Sequence, residues 1–268
     1  MKHIALRARS VRKQGKAYTA PGLGDRIHGV TTGWVYGQAH NTPVTIHLTQ
    51  NKMEGGQFGN KPESWAEIVK LFPEGSVQIQ AHDYEPQDEK GWIEFLNNKG
   101  YAGAEIYYYK DHIGRYESVE KIDISQYLKN IPLLTPELVN IQLPEKFITV
   151  QWDSNDAKRT ISPAARKEVL AKYIKEGYEV VVVGGEAKDK DLRWSLKHIA
   201  YAMSKAAFHV GVDSAFMHLA MLYFPWERIH LYNEQKGMWS HHMLRALDNG
   251  AKLNHHYYKI KLGNRQFL

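Results

Sequence analysis

Short apolar runs alternate with segments of helical period along most of the chain. In the first half, HIALRA (3–8) predicts a strand, and residues 25–38 predict a helix weakened by Gly29, Gly33 and Gly37. PVTIHLT (43–49) predicts a second strand. KPESWAEIVKLF (61–72) sets Trp65, Ile68, Val69 and Phe72 on one stripe, with Pro62 near the start, and predicts a helix. SVQIQAH (76–82) predicts a strand, and QDEKGWIEFLNNKG (87–100) a helix closed by Gly100. Within the less regular 103–130, AEIYYYK predicts a strand.

The pattern then breaks. LKNIPLLTPELVNIQLPEK (128–146) holds Pro132, Pro136 and Pro144 and keeps no steady period. It predicts a linker over 131–145 between domains at 1–130 and 146–268. Beyond it, KFITVQW (146–152) predicts a strand, and SPAARKEVLAKYIKEG (162–177) a helix capped by Ser162, with Pro163 in the first turn and Gly177 as its stop. YEVVVVGG (178–185) is almost wholly apolar, as expected of a parallel strand covered on both faces. A helix over 190–206, a strand over 207–212, a helix over 213–223 and a strand over 227–233 follow. Strand alternating with helix implies a parallel α/β domain with right-handed crossovers.

Composition narrows the class. The 268 residues suit two domains, and 43% hydrophobic with 24% charged residues fits a globular protein. No apolar run reaches the ~18 residues of a membrane span, and the N-terminus lacks the apolar core of a signal peptide, so the simplest location is the cytoplasm. There is no cysteine, which excludes disulfides, thiolate zinc sites and a thiol nucleophile. The formal charge of +6, part of it in a basic loop with Arg9, Arg12, Lys13 and Lys16, suits an anionic partner such as a nucleotide, a phosphorylated glycolipid or a nucleic acid, and equally a merely solvated basic surface.

Four places carry candidate chemistry. In GLGD, Gly22 and Gly24 permit close backbone approach to a ligand, and Asp25 follows at a helix start. A carboxylate there repels phosphate and suits a hydroxyl to be deprotonated, or serves only as an N-cap. Lys158 and Arg159 lie between the first strand and first helix of the second domain, where open α/β sheets bind ligands; they are a diphosphate clamp or a solvated pair. Glu186, after the next strand, has the place of a ribose-binding acid or of an acid favouring a helix dipole. In HVGVDSAFMHLA (209–220), Gly211, Asp213 and Ser214 form a tight strand-to-helix junction whose amides suit phosphate, or Asp213 and Ser214 serve only as caps; His218, on the helix that follows, is a ligand or a core histidine. The pairs His241–His242 and His255–His256 do not read as metal ligands, because neighbouring side chains point apart.

Together these motifs resemble glycosyltransferase family nine, the heptosyltransferase-like enzymes. GLGD resembles the family's S-x-G-D signature, AKR its A-K-R-W segment, and GVDSAFMHLA its G-V-D-T-G-x-x-H-L-A helix start. The likeness runs over roughly 146–232, and at 22–30 in the first half. Here Thr160 follows Lys158–Arg159 where the family has Trp, Ala215 replaces a Gly, and about fifteen residues separate the first strand from GLGD. The resemblance implies two Rossmann-like domains facing across a cleft (the GT-B fold). It also implies an inverting glycosyltransferase that moves a sugar from a nucleoside-diphosphate sugar to a hydroxyl acceptor, a glycan or lipid-linked saccharide. Asp25 would be the base, and Lys158, Arg159, Glu186, Asp213, Ser214 and His218 would bind the donor, with no cofactor and no metal. The competing expectations are transfer to hydroxylated bases of DNA, a non-catalytic nucleotide-sugar-binding protein and a sugar-nucleotide epimerase.

Overall fold

The computed structural model describes residues 1–7, 23–49, 62–82, 89–108, 134–152, 154, 159–224, 226–233, 254–257, 261–262 and 265–266. The chain divides into two compact units, Met1–Pro132 with Arg245–Asn249, and Leu133–Leu244 with Gly250–Leu268. Each is built on a parallel sheet, as expected from the alternation of strand and helix.

The first unit runs β1 (Lys2–Arg7), α1 (Leu23–Ala39), β2 (Val44–Thr49), α2 (Pro62–Val69), β3 (Val77–His82), α3 (Glu89–Asn98) and β4 (Glu105–Tyr108). Its strand order is β3-β2-β1-β4. Helix α1 is continuous over 17 residues despite its glycines. The reason is packing. A Cβ on Gly33 would lie 2.7 Å from Cδ1 of Ile46, and one on Gly37 would lie 2.7 Å from the Thr42 carbonyl oxygen. The glycines therefore form the face on which α1 lies against β2. Their entropic cost, roughly 0.5–1 kcal/mol each relative to alanine, is offset by that contact. The helix begins at Leu23, so Gly24 and Asp25 both fall within its first turn.

A chain of three imidazoles crosses this sheet. Nδ1 of His3 lies 3.0 Å from Nε2 of His47, and Nδ1 of His47 lies 2.9 Å from Nε2 of His82. The Tyr101 ring packs on His3 and His47, and Phe95 meets His82 edge-on. His47 is fully enclosed. Burial first, then the neighbouring His82 and His3, push its pKa down to about 4.

The second unit runs β5 (Phe147–Gln151), α4 (Pro163–Lys175), β6 (Glu179–Val182), α5 (Lys190–Trp194), α6 (Leu196–Lys205), β7 (His209–Gly211), α7 (Ala215–Ala220), β8 (Ile229–Asn233) and β9 (Asn254–Tyr257). A short antiparallel pair, β10 (Lys261–Leu262) with β11 (Arg265–Gln266), follows. The five-stranded order is β6-β5-β7-β8-β9. Before it, residues 134–146 form no helix or strand. The amide of Leu134 donates to the Leu222 carbonyl at 2.8 Å, and Glu137 faces Lys197 at 3.5 Å.

Helix α4 is bounded as expected. The Ser162 hydroxyl accepts the Ala165 N–H at 3.2 Å, Pro163 opens the helix, and Gly177 has φ +82°. Ala165, Val169 and Tyr173 recur at four-residue spacing and enter a core with Ile148, Val150, Trp152 and Val210.

Three expectations are corrected. The apolar run VVVV is not covered on both faces: β6 is an edge strand, with Glu179 exposed and Val180–Val182 half-buried. The fully enclosed strands are β5 and β7, whose residues are all buried. The helix over 190–206 is two helices, broken at Ser195, which is extended at φ −102° and ψ 111°. Ser195 turns its hydroxyl to Nδ1 of His198 at 2.7 Å, a local bond that competes with the helix. Finally, β9 extends the sheet beside β8 and was not anticipated.

Among the described residues no helix is long and apolar enough to cross a membrane.

The imidazole chain makes the first unit acid-labile. An unfolded histidine binds its proton near pH 6.5, whereas folded His47 does so near 4. Stability is therefore full above about pH 6.5 and falls as pH drops toward 4, by about 3 kcal/mol from His47. Urea unfolding from pH 7.5 to 4 should show this fall. A flat profile would contradict a neutral, buried chain.

Candidate functional site

The order of the second sheet reverses between β5 and β7, and ligands of open α/β sheets bind beyond the carboxyl ends of the strands at such a point. Residues from three strand ends meet there. β5 ends at Gln151, which pairs in register with Gly211 at the end of β7. Beyond Gly211 the chain turns through Val212, Asp213 and Ser214 into α7. From the neighbouring β6, the chain turns back at Gly184, whose φ is +84°.

Two glycines are fixed by this crowding. A Cβ on Gly211 would sit 2.7 Å from the Gln151 carbonyl oxygen. A Cβ on Gly184 would sit 2.9 Å from Cε2 of Phe216 and 3.4 Å from Cγ of Gln151. Ser214 is extended and caps α7: its Oγ accepts the Phe216 N–H at 3.2 Å and donates to Oε1 of Gln151 at 2.5 Å. Among the described residues the backbone amides of Ser214 and Ala215 make no hydrogen bond. They are two donors at the carboxyl edge of the sheet.

The expected site residues separate into those brought to this edge and those elsewhere. Asp213 is buried in the turn. His218 lies on α7 and is also buried. Arg159 is half-buried between β5 and α4. Glu186 stands in the loop after β6 and is not at a helix start. Its Oε1 pairs with the Arg166 guanidinium of α4 at 2.8 Å. Arg166 also donates from Nε to the Ile161 carbonyl at 3.1 Å, so the loop after β6 and the start of α4 are tied together. In the first unit, Gly24 and Asp25 lie in the first turn of α1. Lys158, Gly22, the side chain of Asp25 and the basic loop with Arg9, Arg12, Lys13 and Lys16 lie outside the described residues.

Two residues of the site were missed by sequence reading, Gln151 and Arg166. Each is a single polar side chain outside any motif. The only signal was a polar Gln closing an otherwise apolar strand.

The face of β5 and β7 beneath the turn is polar. The Thr149 hydroxyl lies 3.1 Å from Nδ1 of His209, and both residues are buried. Burial, then His230, pushes the His209 pKa down to about 3, so the ring is neutral. On the opposite face Tyr173 is hydrogen-bonded to His230 and to Tyr232, and burial raises its pKa.

No protein-family model matches the chain, and no curated protein sequence is similar enough to be matched. Solved structures do match. In fold the chain resembles the family 9 glycosyltransferases and heptosyltransferases, as its motifs implied. One is the family 9 glycosyl transferase of Veillonella parvula DSM 2008, with 13% identity and a TM-score of 0.50 over 96% of this chain and 86% of that one. Another is the dodecameric iron-containing heptosyltransferase TibC in complex with ADP-D-β-D-heptose, with 12% identity and a TM-score of 0.50 over 87% of this chain; TibC is also described from enterotoxigenic E. coli H10407. The match spans 57% of the TibC chain. Among the described residues no group of three or more His, Asp or Glu side chains is placed to hold a metal ion.

The crowding at Gly211 gives a stability prediction. Gly211→Ala forces its methyl group into the Gln151 carbonyl, which belongs to a paired strand and has little room to yield. Denaturant unfolding should show a loss of roughly 1–3 kcal/mol. Wild-type stability would mean that β5 and β7 are not held this closely.

Proposed function

We propose that this chain is an inverting glycosyltransferase that moves a sugar from a nucleoside-diphosphate sugar to a hydroxyl acceptor. The observation that carries the reading is the turn Gly211–Ser214 at the switch point, with two open amides and a buried Asp213. The fold shared with heptosyltransferases supports it, as does the ADP-heptose held by one of those neighbours.

In this reading the second unit holds the donor. The amides of Ser214 and Ala215, with Arg159 and Lys158, supply positive charge where the departing diphosphate becomes more negative. Asp213 is a poor phosphate contact, because a carboxylate repels it, and is better suited to a donor hydroxyl. Glu186 has one oxygen on Arg166 and turns the other to the ribose hydroxyls. Arg166 then acts through Glu186 by fixing its rotamer.

The first unit serves the acceptor. Asp25 takes the proton from the acceptor hydroxyl as that oxygen bonds to the anomeric carbon and the bond to the diphosphate breaks. A carboxylate of ordinary basicity, pKa about 3.9, is sufficient if bond breaking leads and the proton leaves late. Attack opposite the leaving group inverts the anomeric centre.

The direct test is calorimetry with ADP, GDP and UDP, followed by turnover with the corresponding sugar donors. Binding of none of the three would sink the proposal. If it stands, Asp25→Asn keeps donor affinity within a few-fold and lowers turnover by roughly 10²–10⁴. Turnover near wild type would remove Asp25 from the role of base.

Arg159→Ala separates the contacts further. It should weaken the diphosphate by about 1.5–3 kcal/mol and leave the nucleoside nearly unchanged. Equal losses for both would place the guanidinium away from the phosphates.

A further inference from the structure

Gln151 touches the turn that carries Asp213, the cap of α7 and the loop that leads to Glu186. Its carbonyl accepts the Val212 N–H at 3.2 Å, in the turn that carries Asp213. Its side-chain Oε1 accepts the Ser214 hydroxyl hydrogen at 2.5 Å. Its Cγ fills the space beside Gly184, on the loop that leads to Glu186. Gln151 is itself 1% exposed. A hydroxyl has one hydrogen, and that of Ser214 is given to Gln151, while one Ser214 lone pair is taken by Phe216 N–H. Ser214 is thereby held from two sides, and its side chain has no hydrogen left to give a phosphate. The two amides, not the hydroxyl, are the donors left without a bond among the described residues.

We propose that Gln151 is a positioning residue for the diphosphate of the donor: it clamps Ser214 so that the amides of Ser214 and Ala215 keep one orientation. This rests on the donor reading given above. Gln151 makes no contact with the reacting atoms and acts through Ser214. An apolar side chain of similar size would leave the Ser214 hydroxyl free to rotate and the turn free to change its backbone angles.

The test combines affinity with a readout that needs no ligand. Amide hydrogen exchange over 212–217 and calorimetry with ADP, GDP and UDP are measured on the full chain. Gln151→Leu should speed exchange in that segment by about tenfold and leave β8 unchanged, since the effect is a local opening. It should weaken the best-bound diphosphate by roughly five- to thirtyfold while the nucleoside changes less than about twofold. Gln151→Glu still offers an oxygen to the Ser214 hydrogen and should keep wild-type exchange. Ser214→Ala breaks the same bond from the other side; the double variant should lose no more than about twofold beyond the worse single one. If Gln151→Leu does not fold, Ser214→Ala carries the measurement. Diphosphate affinity equal to wild type in these variants, with or without faster exchange, overturns the role of Gln151. A wild-type chain that binds none of the three diphosphates overturns the donor reading, and this role with it.

Discussion

The closeness of β7 to β5 governs the second unit. These two strands meet with the Gln151 carbonyl where a side chain of Gly211 would begin. Only a residue without a Cβ closes the ladder there, and closing it is what brings the end of β5 to the turn after β7. Had the strands been one side chain further apart, Gln151 would not reach Ser214, and the cap of α7 would lose its tie to the end of β5. The same crowding recurs at Gly184 against Phe216, so the loop from the next strand is drawn to the same point. The site is built mainly by main-chain proximity.

Much of this was legible in the sequence because it is written in residue types with a narrow physical meaning. Ser162, Pro163 and Gly177 mark the ends of α4 in a way that depends on three local rules and on nothing distant. The junction at Gly211–Ser214 was likewise visible, since a Gly before Asp-Ser after an apolar strand has few other uses. What was not legible depended on tertiary position. VVVV reads as a central strand, yet among the described residues the sheet order leaves it at an edge, with a strand on one side only. NHHY of β9 carries no apolar alternation, so nothing local announced a strand. Gly33 and Gly37 lower helix propensity in isolation, and their value appears only when β2 lies beneath them. Gln151 and Arg166 are ordinary polar residues until the fold supplies their partners.

The two units deal differently with polar groups in their interiors. In the second, buried polar side chains are grouped as short contacts on each face of the sheet: Thr149 with His209 on one, Tyr173 with His230 and Tyr232 on the other. Burial keeps the histidine of the first group neutral and the phenol of Tyr173 protonated. In the first unit the polar groups are joined in a line, from the start of β1 to the end of β3. A line differs from a cluster because its members must agree on direction.

That direction has two settings. Each neutral imidazole carries one hydrogen, so the three rings fill two hydrogen bonds in only two ways: every donor faces toward His82, or every donor faces toward His3. Passing from one to the other moves a hydrogen across each bond, and it balances only if a proton is taken up on the far nitrogen of one outer ring and released from the far nitrogen of the other. The electric dipole of the line turns over with it. A first extra proton would keep both links, since a doubly protonated His47 donates to both neighbours, but burial and the adjoining rings oppose it until pH falls toward 4; a second would set two donors against each other and break a link. The sheet of the first unit thus contains a hydrogen-bonded line of rings with two polarities, neutral until acid reaches His47.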